Sequence, residues 1–156
     1  MKTFHVEASS VIDARPEDIY AVISDYRVGH PAVLPKPYFT DLIVEEGGQG
    51  AGTVARVYMS VFGRKFIYHL VVSEPEPGRV IAEADTEVGL YTTFTLDPLN
   101  GGRQTRMTIA TDFPARPGVS GFVERLMQPP FTRRLYQQEM KNIADYVRQR
   151  SSAGVS

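Results

Sequence analysis

Two strand-like segments joined by a glycine-rich run decide the fold: FTDLIVEE at 39–46, GGQGAG at 47–52 and TVARVYMSVF at 53–62. β-Branched and aromatic residues favour strands, and glycine takes the backbone conformations of tight reversals. A glycine run that binds a dinucleotide phosphate follows a strand and opens a helix, whereas a second strand follows this one. The sequence therefore predicts a turn between two strands here, with no phosphate site.

Further strand-like segments lie on both sides of this pair. An opening strand is predicted at 3–13, and Asn100-Gly101 is a strong hairpin signal between two later strands. Four further strand-like segments lie at 65–74, 79–85, 90–97 and 105–113. Six consecutive strands at short spacing predict an antiparallel meander.

Helical patterns flank the meander. Pro16, followed by Glu17 and Asp18, predicts the start of a helix. The proline-rich segment 26–37 has room for at most one short helical turn. After Phe113 we expect a short helix near 119–127 and a long one near 131–149, because Pro129-Pro130 should break or kink the pattern.

The long helix carries one apolar stripe on an otherwise charged surface, formed by Tyr136, Met140, Ile143 and Val147. The order of elements predicts an α+β fold, with a curved seven-stranded antiparallel sheet around this helix and two short helices between strands 1 and 2. One helix leaves part of a curved sheet uncovered, so we expect a cavity. We predict a single domain over 1–150 and a frayed tail at 151–156.

The composition excludes several classes of protein. The chain has 156 residues and a formal net charge of -1, without a basic excess for nucleic acid. It has no Cys, which removes disulfides and thiolate zinc sites. No apolar run is long enough to span a bilayer, and Glu7 and Asp13 interrupt any signal-peptide core. We therefore expect a cytoplasmic protein without integral membrane association.

The three histidines, His5, His30 and His69, lie far apart in the sequence. Zinc sites need three or four converging ligands, commonly at short spacing, so we expect no metal ion and no cofactor. His69 lies on a strand that is apolar on both faces, and His30 lies in the irregular segment that we place near a cavity mouth. Either imidazole could hydrogen-bond a ligand carbonyl, and the alternative for each is an ordinary structural histidine.

Several short motifs occur in a familiar order: PEDIY at 16–20, ISDY at 23–26, EGGQGAGT at 46–53, SEP at 73–75 and GRVI at 78–81. In this order they resemble the START-related superfamily, also called the SRPBCC or Bet v 1-like helix-grip fold. The likeness extends over about residues 3–149 and is greatest to bacterial polyketide cyclase/dehydrase-like and lipid-transport proteins. It implies the helix-grip fold, but this superfamily includes transporters, cyclases, hormone receptors, quinone-binding proteins and chaperone activators, so fold alone does not choose among functions.

We predict that twelve residues contact a ligand. They are His30, Tyr58, Tyr68, His69, Thr92, Phe94, Met107, Ile109, Met127, Phe131, Tyr136 and Met140. The sequence leaves open which face of strands 53–62 and 65–74 points inward. An inward Arg56 would be costly without an anionic partner, so we place it on the outer face.

Three functions remain open at this point. The first is binding or carriage of a small hydrophobic molecule, such as a lipid, isoprenoid, quinone or polyketide-like compound, by a monomer or weak homodimer. The second is a cyclase, aromatase or dehydratase that acts on a ketide-like carbonyl compound through His30, His69 or a tyrosine as general acid or base. The third is a protein-interaction module, for which an exposed apolar patch would be evidence.

Overall fold

The computed structural model describes residues 2–115 and 117–153, without the side chains of 119–120, 122–127 and 152–153. The strands are β1 (Thr3–Ile12), β2 (Phe39–Glu46), β3 (Val54–Val61), β4 (Arg64–Glu76), β5 (Val80–Asp85), β6 (Leu90–Leu99) and β7 (Gln104–Pro114). The helices are α1 (Pro16–Ile23), α2 (Gly29–Val33) and α3 (Gly118–Ala153). The expected tail at 151–156 lies partly outside the described residues.

The seven strands form one antiparallel sheet in the order β1-β7-β6-β5-β4-β3-β2. The sheet curves around α3, and α1 and α2 lie between β1 and β2 in the chain. The predicted α+β helix-grip fold is therefore confirmed. Strand β4 reaches Glu76, past the predicted end at residue 74, because a register irregularity between Ser73 and Glu76 accommodates Pro75.

The two helices predicted after Phe113 are a single helix. α3 continues through Pro129 and Pro130, so the prediction of two separate helices was wrong. Each proline removes one backbone hydrogen bond, but a long helix can continue through such a defect when its remaining turns are packed. The apolar stripe lies where it was predicted, since Met140, Ile143 and Val147 are all buried.

The glycine-rich run is the turn that the sequence predicts, and it packs against the end of α1. Gly48 accepts a hydrogen bond from the Tyr26 N–H at 2.9 Å, and the Gly50 N–H donates to the Ser24 carbonyl at 2.8 Å. Gly48 has a φ of 127°, and a Cβ there would lie 2.5 Å from Nε of Arg27. A side chain at this position would therefore be held in a strained backbone conformation and would displace the Arg27 side chain.

A solid core fills one part of the interior. Ile19 and Ile23 of α1, Met107 and Ile109 of β7, and Ile143 of α3 are fully buried in one cluster. Period-two alternation points Met107 and Ile109 toward the helices, and the helical repeat points Ile19 and Ile23 toward the sheet. This packing fixes α1 and α3 on β1, β6 and β7.

Candidate functional site

A cavity of about 890 Å³ lies between the concave face of the sheet and α3. Its volume is within the range of small-molecule sites. Most of its lining is apolar, and the central apolar residues are Val57 and Met59 of β3, Phe66 and Leu70 of β4, Phe94 of β6 and Leu135 of α3. Strands β3 and β4 therefore turn their apolar side chains toward open space instead of a helix.

A buried histidine marks the polar end of this cavity. His30 is 2% exposed, and its Nδ1 lies 2.7 Å from the Ile23 carbonyl oxygen. A carbonyl only accepts hydrogen bonds, so Nδ1 carries the hydrogen and Nε2 is directed toward the carboxyl groups of Glu83 and Glu139, each 3.8 Å away. The Tyr26 ring stacks on the imidazole at a centroid distance of 4.6 Å and fixes its orientation.

The two carboxyl groups have different environments. Glu83 Oε2 accepts a hydrogen bond of 2.7 Å from the Tyr26 hydroxyl. Glu139 Oε2 is buried and has no hydrogen-bond partner among the described residues. Burial, together with the neighbouring Glu83, raises the pKa of Glu139 to about 8, so this side chain is mostly protonated near neutral pH.

A chain of hydroxyl groups continues the polar end across β6 and β7. Thr92 and Thr111 lie on adjacent strands with their hydroxyl oxygens 2.8 Å apart, and Thr111 is also hydrogen-bonded to the Tyr136 hydroxyl. Burial raises the pKa of Tyr136 far above its ordinary value, so its hydroxyl keeps its proton. These groups give the cavity neutral hydroxyls beside the two carboxyl groups.

The opposite end of the cavity opens at a rim of aromatic and cationic residues. Phe62 is 84% exposed at the β3–β4 turn, and its ring centroid lies 5.5 Å from that of Phe131 on α3. Arg64 and Arg134 also line this end. Phe62, Phe131 and Arg134 also line a second hollow of about 730 Å³, which lies between α3 and the segment 32–38.

Six of the twelve predicted ligand-contacting residues line the cavity: His30, Tyr68, Thr92, Phe94, Phe131 and Tyr136. They come from α2, β4, β6 and α3, so the fold brings together residues that are distant in the sequence. Whether they bind a ligand remains a prediction.

Five of the other predicted residues lie elsewhere. Met107, Ile109 and Met140 belong to the solid core, because α1 and α3 fill the space next to them. Tyr58 and His69 are on the convex face, since period-two alternation directs their neighbours Val57 and Leu70 inward. The side chain of Met127 lies outside the described residues.

The outward face of β3 also carries Arg56, as expected. Its Nε lies 3.2 Å from Glu45 Oε1, and its guanidinium donates to the Tyr58 hydroxyl at 3.1 Å. Over the described part of the chain, no group of three or more His, Asp or Glu side chains is arranged to hold a metal ion. The same residues include no helix long and apolar enough to cross a membrane.

Sequence reasoning missed Glu83, Glu139, Tyr26 and Thr111. Two of these carried a signal: Glu83 is the single charged residue within VIAEA (80–84), and Glu139 lies on the helical repeat three residues after Tyr136 and four before Ile143. A charged residue inside an apolar pattern indicates a buried ionisable group. No comparable signal identified Tyr26 or Thr111.

The architecture and the cavity define the class of protein. A helix-grip sheet closed by one long helix, with an interior cavity, is the architecture of the START-related superfamily. Residues 3–148 match the family described as polyketide cyclase / dehydrase and lipid transport. The chain belongs to this family, as the order of its motifs predicts.

Solved structures share the whole architecture. KanY protein superposes with a TM-score of 0.80 at 28% identity, covering 95% of this chain and 99% of KanY. Zhui aromatase/cyclase from Streptomyces sp. R1128 superposes with a TM-score of 0.78 at 19% identity, covering 99% of both chains. A START superfamily protein from Mycobacterium smegmatis superposes with a TM-score of 0.65 at 15% identity, covering 96% of this chain and 97% of that protein. The last two establish the fold alone, and no curated protein matches the sequence.

Proposed function

We propose that the protein binds a small hydrophobic molecule in the 890 Å³ cavity. The observation that carries the proposal is the cavity itself, where aromatic and aliphatic side chains of β3, β4 and β6 face open space. Removing apolar ligand surface from water at these walls is worth about 25 cal/mol per Å² before the costs of binding. Membership of a family that includes lipid-transport proteins supports the same conclusion.

The polar end gives such a ligand a fixed orientation. His30, Glu83 and Glu139 lie at one end and the aromatic rim lies at the other, so a ligand with a single polar group has one favourable direction of entry. Glu139 Oε2 has no partner among the described residues, and a ligand group that bonds to it removes the cost of an unsatisfied buried atom.

Binding can be measured with the hydrophobic fluorophore N-phenylnaphthylamine, whose emission increases in apolar surroundings. Thr92→Phe fills the chamber from β6 and should weaken binding at least about tenfold by displacing ligand volume. Thr93→Phe is the matched control, because Thr93 lies on the same strand and points to the opposite face. Native mass spectrometry of the purified protein before and after denaturing extraction would identify the chemical class of a co-purified ligand.

Thr92→Phe also removes the hydroxyl that is hydrogen-bonded to Thr111. A second variant is therefore needed to separate the loss of cavity volume from the loss of this hydrogen bond. Val57→Phe fills the same cavity from β3, where no hydroxyl is lost. Weakened binding in both variants, with thermal melts that show folded protein, supports the cavity as the site. Equal affinity for the wild type and both filled variants, or no binding by the wild type, contradicts the proposal.

A second candidate function is acid–base catalysis on a ketide-like carbonyl compound, and the buried pair of His30 and Glu139 favours it. A protonated carboxyl can give its proton to the departing β-hydroxyl group, while an imidazole Nε2 that carries no hydrogen can accept a proton from the carbon next to the carbonyl. In a β-hydroxy ketone these transfers remove one water molecule and leave a conjugated enone. The two transfers balance, since the hydroxyl leaves with a proton that the carboxyl group supplies.

The enzyme candidate is tested with a naphthyl β-hydroxy ketone, followed by the absorbance of the enone. His30→Asn keeps an N–H donor for the Ile23 carbonyl but lacks the Nε2 acceptor, so it should abolish elimination without unfolding the protein. Wild-type elimination no faster than that of His30→Asn would reject this candidate and leave ligand binding as the function.

A further inference from the structure

When Glu139 is ionised, the polar end of the cavity contains more hydrogen-bond acceptors than free donors. Its acceptors are the carboxylate oxygens of Glu83 and Glu139 and, in the tautomer with its hydrogen on Nδ1, the Nε2 atom of His30. The nearby donors are engaged: the Tyr26 hydroxyl bonds Glu83, and the Nδ1 hydrogen of His30 bonds the Ile23 carbonyl. The hydroxyls of Thr92, Thr111 and Tyr136 are hydrogen-bonded to one another. A ligand that brings N–H or O–H donors therefore matches this end better than one that brings only acceptors.

Within the described part of the chain, the same end also has no fixed positive charge. Among the described residues, His30 is the one basic group within 4.0 Å of Glu83 or Glu139. Arg64 and Arg134 line the cavity only at its exposed rim. Two carboxyl groups in a low-dielectric site favour a bound cation, because a cation stabilises the charged form of both.

The distances between these groups leave their acceptor atoms accessible to a hydrogen-bond donor on a ligand. His30 Nε2 is 3.8 Å from the Oε2 atom of each glutamate, which is too long for a direct hydrogen bond. Glu139 Oε2 is buried without a partner, and its side chain lines the cavity. A tetrahedral nitrogen entering from the cavity can direct its hydrogens to this oxygen and to a neighbouring acceptor at once.

We propose that the cavity binds a hydrophobic amine, with its ammonium group against Glu139 and Glu83 and its apolar part under β3 and β4. The inference rests on the proposed function, hydrophobic-ligand binding in this cavity, and adds the chemical class of the ligand. A carboxylate of the same shape is disfavoured there, since it would place a third acidic group beside two others. An alcohol gains a hydrogen bond without the charge attraction.

Binding of the ammonium group requires Glu139 to lose its proton. Burial and Glu83 raise the pKa of Glu139 to about 8, and a bound cation lowers that pKa again. The groups that face Glu139 are His30 from α2, Glu83 from β5, Tyr26 after α1, and Tyr136 on α3 itself. Amine binding near pH 7 should therefore release about one proton, and its affinity should increase between pH 6 and 8.

The test is displacement of N-phenylnaphthylamine by three naphthalene compounds that differ only in the polar group: naphthylmethylamine, naphthalenemethanol and naphthoic acid. Near pH 7 the amine should bind about tenfold or more tightly than the alcohol, with the acid weakest. Titration calorimetry in two buffers with different ionisation enthalpies should give the proton release for the amine and none for the alcohol.

Glu139→Gln keeps the shape and removes the titrating group, so the amine-to-alcohol affinity ratio should fall toward one and proton release should disappear. Glu17→Gln, at an exposed position on α1, makes the same change in net charge and should leave both values as in the wild type. If Glu139→Asp keeps the amine-to-alcohol affinity ratio close to that of the wild type, the carboxyl group itself is required.

The outcomes separate the two proposals. Binding of the fluorophore with no preference for the amine, or with a preference that Glu139→Gln retains, overturns the amine inference and leaves hydrophobic-ligand binding standing. Tighter binding of the acid than of the amine overturns it as well and assigns the rim arginines as the polar contact. A wild-type protein that does not bind the fluorophore contradicts the proposed function, and the inference fails with it.

Discussion

The interior of the molecule has two regions built from the same sheet, one filled and one hollow. In the filled region α1 and α3 pack on β1, β6 and β7, and side chains such as Ile23 and Met107 have no exposed surface. In the hollow region β3 faces the cavity with Val57 and Met59, and β4 faces it with Phe66. Both regions use the same alternation of apolar residues, so the difference comes from whether a helix face meets the strand face.

The two regions also differ in their buried polar groups. The filled region consists of apolar side chains that pack against one another. The hollow region ends at His30, Glu83 and Glu139, where ionisable groups are buried next to open space. Burying ionisable groups is costly, and buried ones with perturbed pKa values cluster at functional sites. Close packing therefore marks the region that maintains the fold, and the cavity with its polar end marks the region that we assign to the ligand.

Truncating a methionine in each region should give the largest contrast. Met107→Ala leaves a void among fully buried neighbours and should lower the free energy of unfolding by about 2–5 kcal/mol. Met59→Ala removes a side chain that already borders a cavity, so its cost should be less than half as large. Urea unfolding of both variants measures the difference, and equal costs would contradict the division into filled and hollow regions.

The pH dependence of stability should isolate the polar end. Because the pKa of Glu139 is raised to about 8 in the folded protein, its contribution is greatest at low pH, below its ordinary value of 4.5. It is lost as the pH rises toward about 8, since the unfolded chain has already released the proton. The wild type should lose about 2 kcal/mol relative to Glu139→Gln between pH 6 and 8.

Chemical denaturation at several pH values measures this difference between the two proteins. Subtracting the Glu139→Gln curve removes the titrations that both proteins share. Glu83 and His30 face Glu139, and their response to the substitution is part of the measured difference. A flat difference between pH 6 and 8 would show that Glu139 is ionised in the folded protein.

Much of the fold could be predicted because each strand carries its own alternation and each turn its own glycine or proline. The continuity of α3 through Pro129-Pro130 could not, because local propensity favours a break or kink at two prolines. Residues of the candidate site were harder to predict for a related reason. Met107 and Phe94 both point inward and both belong to the core cluster, and only the placement of the helices determines which of them also lines the cavity.

The hydrogen bond from Tyr26 to Glu83 tests the polar end with a smaller change. Tyr26→Phe removes the hydroxyl that donates to a buried carboxyl group and should cost about 1.5 kcal/mol. Tyr58→Phe is the matched control on the convex face, where its hydroxyl accepts from Arg56 beside solvent, and should cost less than about 0.5 kcal/mol. Equal costs in thermal unfolding would show that the bond to Glu83 adds no net stability.

A substitution at the rim should have the smallest effect on stability and a separate effect on the rate of ligand release. Phe62 is 84% exposed and has a left-handed φ of 50°, so Phe62→Ala should change the free energy of unfolding by less than about 0.5 kcal/mol. Its ring lies against Phe131, which lines the cavity, so its loss widens the opening and should speed the release of N-phenylnaphthylamine in stopped-flow experiments. Val11→Ala, at an exposed position on β1, should leave both the stability and the release rate unchanged. If Phe62→Ala released the fluorophore at the wild-type rate, the ligand would not pass this rim, and the hollow region would have to open elsewhere along α3.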